Sequence, residues 1–329
     1  MTHPNRLTQA RAIPVSFFSM AVGTLALAQA WGLATRLWSA PPEVALALSY
    51  IGLALWFILL LAYAAKWTFH RSAAQDELRH PVQSMLAALG PVATLLAAVV
   101  MQPLWRPAGW TLLWLGLLAQ LLLGLWIYGR FCQGGRAPET VSAAVYLPAV
   151  AQNFVAGMAC AAYGWTEVGQ LFFGAGAFSW LALESMVLSR ASLHSAIAEA
   201  ERPLLGIQLA PPVVGGVCYM SIHPEPSLLF AQMLLGYGLY QMALALRLLP
   251  WIVGHSFVPS YWAYSFGVVA LSSLTMRMLE HGPTALLHAL APVLFIAANV
   301  VLVVLMVNTL RLLVLNQLVP VVQDPRDRP

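Results

Sequence analysis

The chain has 329 residues, 60% of them hydrophobic and only 9% charged, with 16 Lys+Arg against 12 Asp+Glu. Soluble globular proteins carry about 25% charged residues, and a mean hydropathy of +0.76 departs from them in the same direction. A soluble enzyme and a disordered chain are excluded, and a formal net charge of +4 over this length does not make a nucleic-acid-binding domain. What is left is a polytopic membrane protein, and 12 Trp with 10 Tyr suit the aromatic belts of a bilayer.

A membrane helix needs about 20 mainly apolar residues. In chain order, stretches without Asp, Glu, Lys or Arg run over 12–35, 44–65, 80–105, 107–129, 140–166, 168–183, 203–224, 226–246, 248–276 and 281–310. Glu184 interrupts the sixth, whose apolar run continues to Ser189. The spacing predicts ten transmembrane helices in residues 13–311, between an N-terminal tail (1–12) and a C-terminal tail (312–329). Pro41-Pro42-Glu43, Arg106-Pro107, Pro224-Glu225-Pro226 and Gly282-Pro283 separate neighbours. The strands of a membrane β-barrel would be about 10 residues long and alternate in polarity, which these runs do not.

Basic residues orient the chain. With both termini on one side, thirteen Lys and Arg share that side, including Arg6, Arg11, Lys66, Arg247, Arg311, Arg326 and Arg328. Three, Arg36, Arg106 and Arg277, fall opposite. The positive-inside rule then places both termini in the cytoplasm. Ala28-Gln29-Ala30 resembles a signal-peptide cleavage site after Arg6 and Arg11. Cleavage there would leave nine helices with the termini on opposite sides, so the first span is read as a retained helix.

Short turns within pairs and longer charged links at 66–80, 130–140 and 190–203 arrange the ten helices as five hairpins. Prolines sort by parity: Pro14, Pro91, Pro148 and Pro211-Pro212 fall in the first, third, fifth and seventh spans. The second, fourth, sixth and eighth have no interior proline, while the last hairpin departs, with Pro259 near the start of the ninth and Pro292 inside the tenth. An interior proline frees a carbonyl and kinks the helix, which is costly against lipid. The odd helices are therefore expected around a central axis and the Leu- and Trp-rich even helices outside them, a pseudo-fivefold all-α ring around a pore.

No basic residue occupies the middle of the odd spans. An ion in such a pore meets backbone dipoles and the hydroxyls of Ser19, Thr24 and Ser265. Weak sites suit a channel and favour easily dehydrated anions such as nitrate or iodide over chloride. Glu184, six residues before Arg190, is read as a hydrogen-bonded or paired structural carboxylate near the cytoplasmic edge. His255, His281 and His288 show no metal spacing, and no catalytic constellation is present in the spans, so neither a metal, a cofactor nor an enzyme is expected. Cys132, Cys160 and Cys218 are dispersed, and the last two read as small packing residues.

Specific strings carry a resemblance. Tyr146-Leu147-Pro148-Ala149-Val150-Ala151 with Asn153-Phe154, Leu171-Phe172-Phe173-Gly174-Ala175-Gly176, Leu209-Ala210-Pro211, Arg247-Leu248-Leu249-Pro250-Trp251 and Trp262-Ala263-Tyr264-Ser265-Phe266-Gly267 occur in that order. Together they resemble the tellurite-resistance TehA and plant slow-anion-channel family, on its bacterial TehA branch, from about Pro14 to the tenth helix. The resemblance implies a homotrimer in the bacterial inner membrane, each protomer holding its own pore blocked by a ninth-helix phenylalanine. Carried onto this sequence, the gate is Phe266, with Pro14, Phe18, Ser19, Pro91, Pro148 and Pro211 as pore-lining or kink positions. Ser19 replaces a glycine expected after the first-helix proline, which bears on conductance. Gly267 is expected to leave room beside the gate ring for a rotamer change. The function implied is a passive channel for small inorganic anions, with membrane lipid as its other partner. A secondary transporter or exporter of C4-dicarboxylates or oxyanions such as tellurite remains the alternative.

Overall fold

The computed structural model describes residues 11–254 and 256–320. His255 and the tail arginines Arg6, Arg326 and Arg328 lie outside them. The α-helices are α1 (Phe18–Trp38), α2 (Pro42–Phe69), α3 (Arg71–Arg79), α4 (Gln83–Leu86), α5 (Leu89–Met101), α6 (Arg106–Cys132), α7 (Gln152–Ala162), α8 (Thr166–Leu193), α9 (Ala210–Ile222), α10 (Leu228–Ile252), α11 (Ala263–His281) and α12 (Ala285–Val314). Among the described residues, nine helical segments are long and apolar enough to cross a membrane. The ninth expected span is not among them: α11 has 19 residues and carries Ser265, Ser272, Ser273, Thr275, Arg277 and Glu280.

Five hairpins are present as contacts, α1 on α2, α5 on α6, α7 on α8, α9 on α10 and α11 on α12. The odd-span helices touch in a closed cycle: α1 meets α5, α5 meets α7, α7 meets α9, α9 meets α11, and α11 meets α1. Each even-span helix also touches the next odd one, α2 on α5, α6 on α7, α8 on α9, α10 on α11 and α12 on α1. Burial follows this order. In the first, third, fifth and seventh spans 78% to 89% of the most apolar stretch is buried, against 17% to 33% in α2, α6, α8, α10 and α12. The exposed faces of the latter are apolar, with Ile58, Leu122, Leu125, Leu181, Val300 and Val307 all open. Such faces belong in lipid or against another subunit, and the chain is a multi-pass membrane protein.

Close approach within hairpins is built on glycine. Leu25 of α1 fills the space beside Gly52 of α2, Leu95 of α5 that beside Gly116 of α6, Phe154 of α7 that beside Gly176 of α8, and Val213 of α9 that beside Gly238 of α10. Small residues let membrane helices pack closely where no hydrophobic drive joins them. The last hairpin uses alanine instead: α12 has no glycine and buries Ala291 and Ala298 completely.

The odd-span prolines mark changes of helix type, whereas Pro292 lies inside the continuous α12. Pro14 precedes a 3₁₀ turn, Val15–Phe17, and α1 starts four residues after the proline. Pro259 opens the 3₁₀ turn Pro259–Trp262, and α11 again starts four residues later. The ninth span therefore repeats the first, and the expected departure of the last hairpin disappears for its odd member. Pro91 follows a break at Ala87-Ala88, and Pro148 sits in a π-helical turn, Leu147–Ala151. Pro211 begins α9 after a 3₁₀ run, Glu199–Leu209. Without its N–H, each proline cannot continue the i to i−4 ladder, and the tighter or wider turn satisfies the neighbouring groups.

One expected boundary shifts. Arg247 was expected to divide the eighth and ninth spans, but α10 continues through it and through Pro250 to Ile252. One charge at a membrane edge does not end a helix, because its side chain reaches the interface. α12 ends at Val314. Arg11 donates to the Asn316 carbonyl at 2.8 Å, so both ends of the described chain meet at one end of the bundle.

Glu184 anchors three helical segments, accepting from Tyr146 Oη at 2.7 Å, Trp180 Nε1 at 2.8 Å and Tyr237 Oη at 2.6 Å. It is hydrogen-bonded as expected, but not to Arg190, which binds the carbonyls of Glu139 and Ser195.

Candidate functional site

A cavity of about 280 Å³ lies within the cycle of odd spans, at the end where the termini meet. Each odd span contributes to its wall, for example Ser19, Leu89, Leu147, Ile207 and Phe266. A second, narrow cavity of about 30 Å³ is again lined from every odd span, by Ala26, Leu96, Met158, Val214 and Phe266. Phe266 is the one residue common to both walls. Gln29, Leu33 and Arg277 also line a wide third cavity of about 540 Å³, bounded by α1, α2, α5 and α11. The first and second spaces share Phe266 in their walls, and the second and third share Gln29, Leu33 and Arg277.

Three consecutive residues fix that ring. Successive helix residues point about 100° apart. Ser265 points to α1, where it fills the place a Cβ on Gly23 would take. Gly267 points to the seventh span, where a Cβ would come within 3.1 Å of Leu209. Phe266, between them, faces the cavities. The expectation that Gly267 leaves room for the ring is corrected: its space is filled by Leu209, and the glycine serves helix approach. Trp262 Nε1 donates to Thr309 Oγ1 at 2.8 Å and ties the start of α11 to α12. The α11 backbone at Phe266 is thus wedged from both sides. Gly23→Ala is expected to destabilise the purified protein by about 2 kcal/mol through overpacking against Ser265, read as a lower Tm. Gly267→Ala, whose Cβ would meet Leu209 at 3.1 Å, a looser approach than at Gly23, is expected to cost about half as much.

The other expected site residues divide. Ser19 lines the inner cavity, but Phe18 does not: it is 2% exposed and meets Tyr63 of α2 edge-on at 6.0 Å. Pro91, Pro148 and Pro211 are buried and Pro14 is half-buried. None of the four touches the cavity, whose wall is made by residues one to four positions away, Ser16, Leu89, Leu147 and Ile207. The hydroxyls expected to face an ion all donate into their own helices. Ser19 donates to Ser16 O at 2.7 Å, Thr24 to Met20 O at 2.8 Å and Ser265 to Trp262 O at 2.7 Å. Such back-bonding is the local alternative open to Ser and Thr in helices.

Sequence reasoning gave no role to two groups at the inner cavity. His80, its Nδ1 accepting from the N–H groups of Val82 and Gln83 at 3.2 Å, and Glu201 both stand in the wall. Nor did it find the buried pair beneath the entry to α1. Lys66 Nζ lies 2.9 Å from Glu77 Oε2 with side chains 7% and 9% exposed, and Glu77 Oε1 accepts from Val15 N at 2.8 Å. Among the described residues no group of three or more His, Cys, Asp or Glu gathers as metal ligands would.

The family described as voltage-dependent anion channel (SLAC1) matches residues 12–310. A tellurite resistance protein TehA homolog of Haemophilus influenzae is 31% identical over 310 residues, 94% of this chain and 93% of the relative. A Methanocaldococcus jannaschii protein named as an uncharacterized transporter is 26% identical over 267 residues, 72% of this chain and 76% of the relative. The guard cell S-type anion channel SLAC1 of Arabidopsis thaliana is 23% identical over 309 residues, 90% of this chain and 55% of the plant protein. A profile match over nearly the whole helical bundle, with a relative of this identity along its full length, means that the chain belongs to the voltage-dependent anion channel family.

Proposed function

We propose that this protein is a passive channel for small monovalent anions of the chloride and nitrate type, with one pore along the axis of each ten-helix protomer and Phe266 as its gate. The observation that carries the reading is the place of Phe266, the residue shared by two cavities that are each walled by all five odd spans. The closed cycle of odd-span contacts supports the ring and its pore. An apolar ring between two cavities removes water from the path, and an anion crossing it loses hydration with nothing in return. The apolar outer faces of the even-span helices support lipid and further copies of the chain as neighbours, assembled as a trimer. The meeting of Arg11 with Asn316, with the basic residues crowded toward that end, supports cytoplasmic termini in a bacterial inner membrane.

The names of two relatives, a tellurite resistance protein homolog and a transporter, favour a second reading as a carrier of dicarboxylates or oxyanions. The test is voltage clamp of proteoliposomes against solute counterflow. A channel carries current without exchange. Counterflow of succinate or tellurite without current would support the carrier.

A further inference from the structure

We propose that Arg277 forms an anion-binding site on the far side of Phe266, shaped for a small planar oxyanion such as nitrate. The inference rests on the reading of the cavities as an anion path. Phe266, Val269, Ala270, Ser273 and Arg277 line the narrow cavity from one face of α11, as helical spacing requires. At 1.5 Å per residue, Arg277 stands about 16 Å beyond Phe266 along the helix. It is the charged residue of the narrow cavity, and its side chain also reaches the wide third cavity.

The charges at this end are unequal in their pairing. Arg36, across the same wide cavity, is held by Glu280 at 2.9 Å. Glu43 lines the wide cavity but not the narrow one and is exposed. Arg277 takes part in no ion pair among the described residues, and its buried Nε has no hydrogen-bonding partner. His281 Nδ1 sits 2.9 Å from the Arg277 backbone carbonyl rather than the guanidinium, and Glu280, bound to Arg36, acts on Arg277 through its charge without an ion-pair contact. Arg277 is half-buried, and an enclosed Nε–H without an acceptor is costly. Its planar fork matches two oxygens of one oxyanion. Gln29, whose amide nitrogen points back to Leu25 O at 3.4 Å, and Ser273 complete a polar rim in the same small space. An anion leaving the apolar constriction would meet its first fixed positive charge there.

The experiment uses the full chain carrying Phe266→Ala in proteoliposomes, with nitrate, chloride and iodide as probes. Arg277→Gln on that background is expected to raise the half-saturating nitrate concentration about fivefold. Arg277→Lys, which keeps a charge but not the fork, should restore chloride and iodide behaviour while losing the preference for nitrate. Arg106→Gln, which removes the same charge outside these cavities, should change nothing. A half-saturation unaltered by Arg277→Gln overturns the proposal. A second readout does not need current. The Tm of the purified wild-type chain should rise when nitrate replaces gluconate at constant ionic strength, because a ligand of the folded state stabilises it. The rise should be absent in Arg277→Gln. An equal rise in both proteins, or none in wild type, also overturns the site. If Phe266→Ala carries no current yet the Arg277-dependent rise is present, the site stands and the channel reading falls.

Discussion

Phe266→Ala is expected to raise anion current at least tenfold over wild type, about 1.4 kcal/mol removed from the barrier. Phe266 is the residue that lines both cavities. Truncation joins them and lets water follow the ion through. Phe266→Leu should give an intermediate current, because a smaller apolar plug remains. The neighbours behave differently for a geometric reason. Tyr264 packs on Gly206, within 2.8 Å of where a Cβ would stand there, and Phe257 stacks on Tyr261 at 5.6 Å. Their alanine variants should lower Tm without a comparable gain in current. On the proposed gate, the close approaches at Ser265 and Gly267 hold α11 in place, so opening is expected from rotation of the ring rather than withdrawal of the helix. The measurement is voltage clamp of the variant series at matched protein density.

Glu77→Ala is expected to destabilise the protein by about 3 kcal/mol or more, the range for stranding one partner of a buried ion pair. It would leave Lys66 without its carboxylate, and Val15 N without an acceptor at the first turn of the first span. Lys66 would retain the Ile13 carbonyl at 3.1 Å, which offers no compensating charge. Lys66→Met combined with Glu77→Gln should recover much of the loss, since the pair is removed together while an acceptor stays at Val15. The damage has a functional reading as well. Ser16 and Ser19, immediately beyond Val15, form part of the inner cavity wall, so loosening this anchor disturbs the entry. Thermal unfolding of the single and double variants in detergent measures the cycle.

The hairpins were legible because apolar length and charge placement are local properties, and the family was legible from strings such as Trp262-Ala263-Tyr264-Ser265-Phe266-Gly267. Proline parity pointed to the buried helices, but not to what proline does there. The choice among a π-turn at Pro148, a break before Pro91 and a 3₁₀ run before Pro211 depends on which neighbours can take the freed carbonyls. Phe18 and Ser19 differ by one residue, yet one packs on α2 and the other faces the cavity. A 3₁₀ turn just upstream sets that rotation, and composition does not reveal it. The hydroxyls misled for a related reason, since back-bonding to the helix is silent in sequence. The Lys66–Glu77–Val15 anchor joins residues 62 positions apart and leaves no periodic trace. Arg277 could have been found: it lies eleven residues after Phe266, three helical turns on the same face, but it was counted as a charge of the outer side alone.

The central claim is that ions pass beside residue 266. The most direct measurement places a thiol there, as Phe266→Cys with exposed Cys132 changed to Ser and the buried Cys160 and Cys218 left in place. This variant should conduct. A bulky methanethiosulfonate reagent should then abolish most of its current, restored by a reducing agent, with no effect on the Cys132→Ser parent. Complete labelling at that position with the current unchanged would mean that the anion path lies elsewhere, and the account of the cavities as a pore would be wrong.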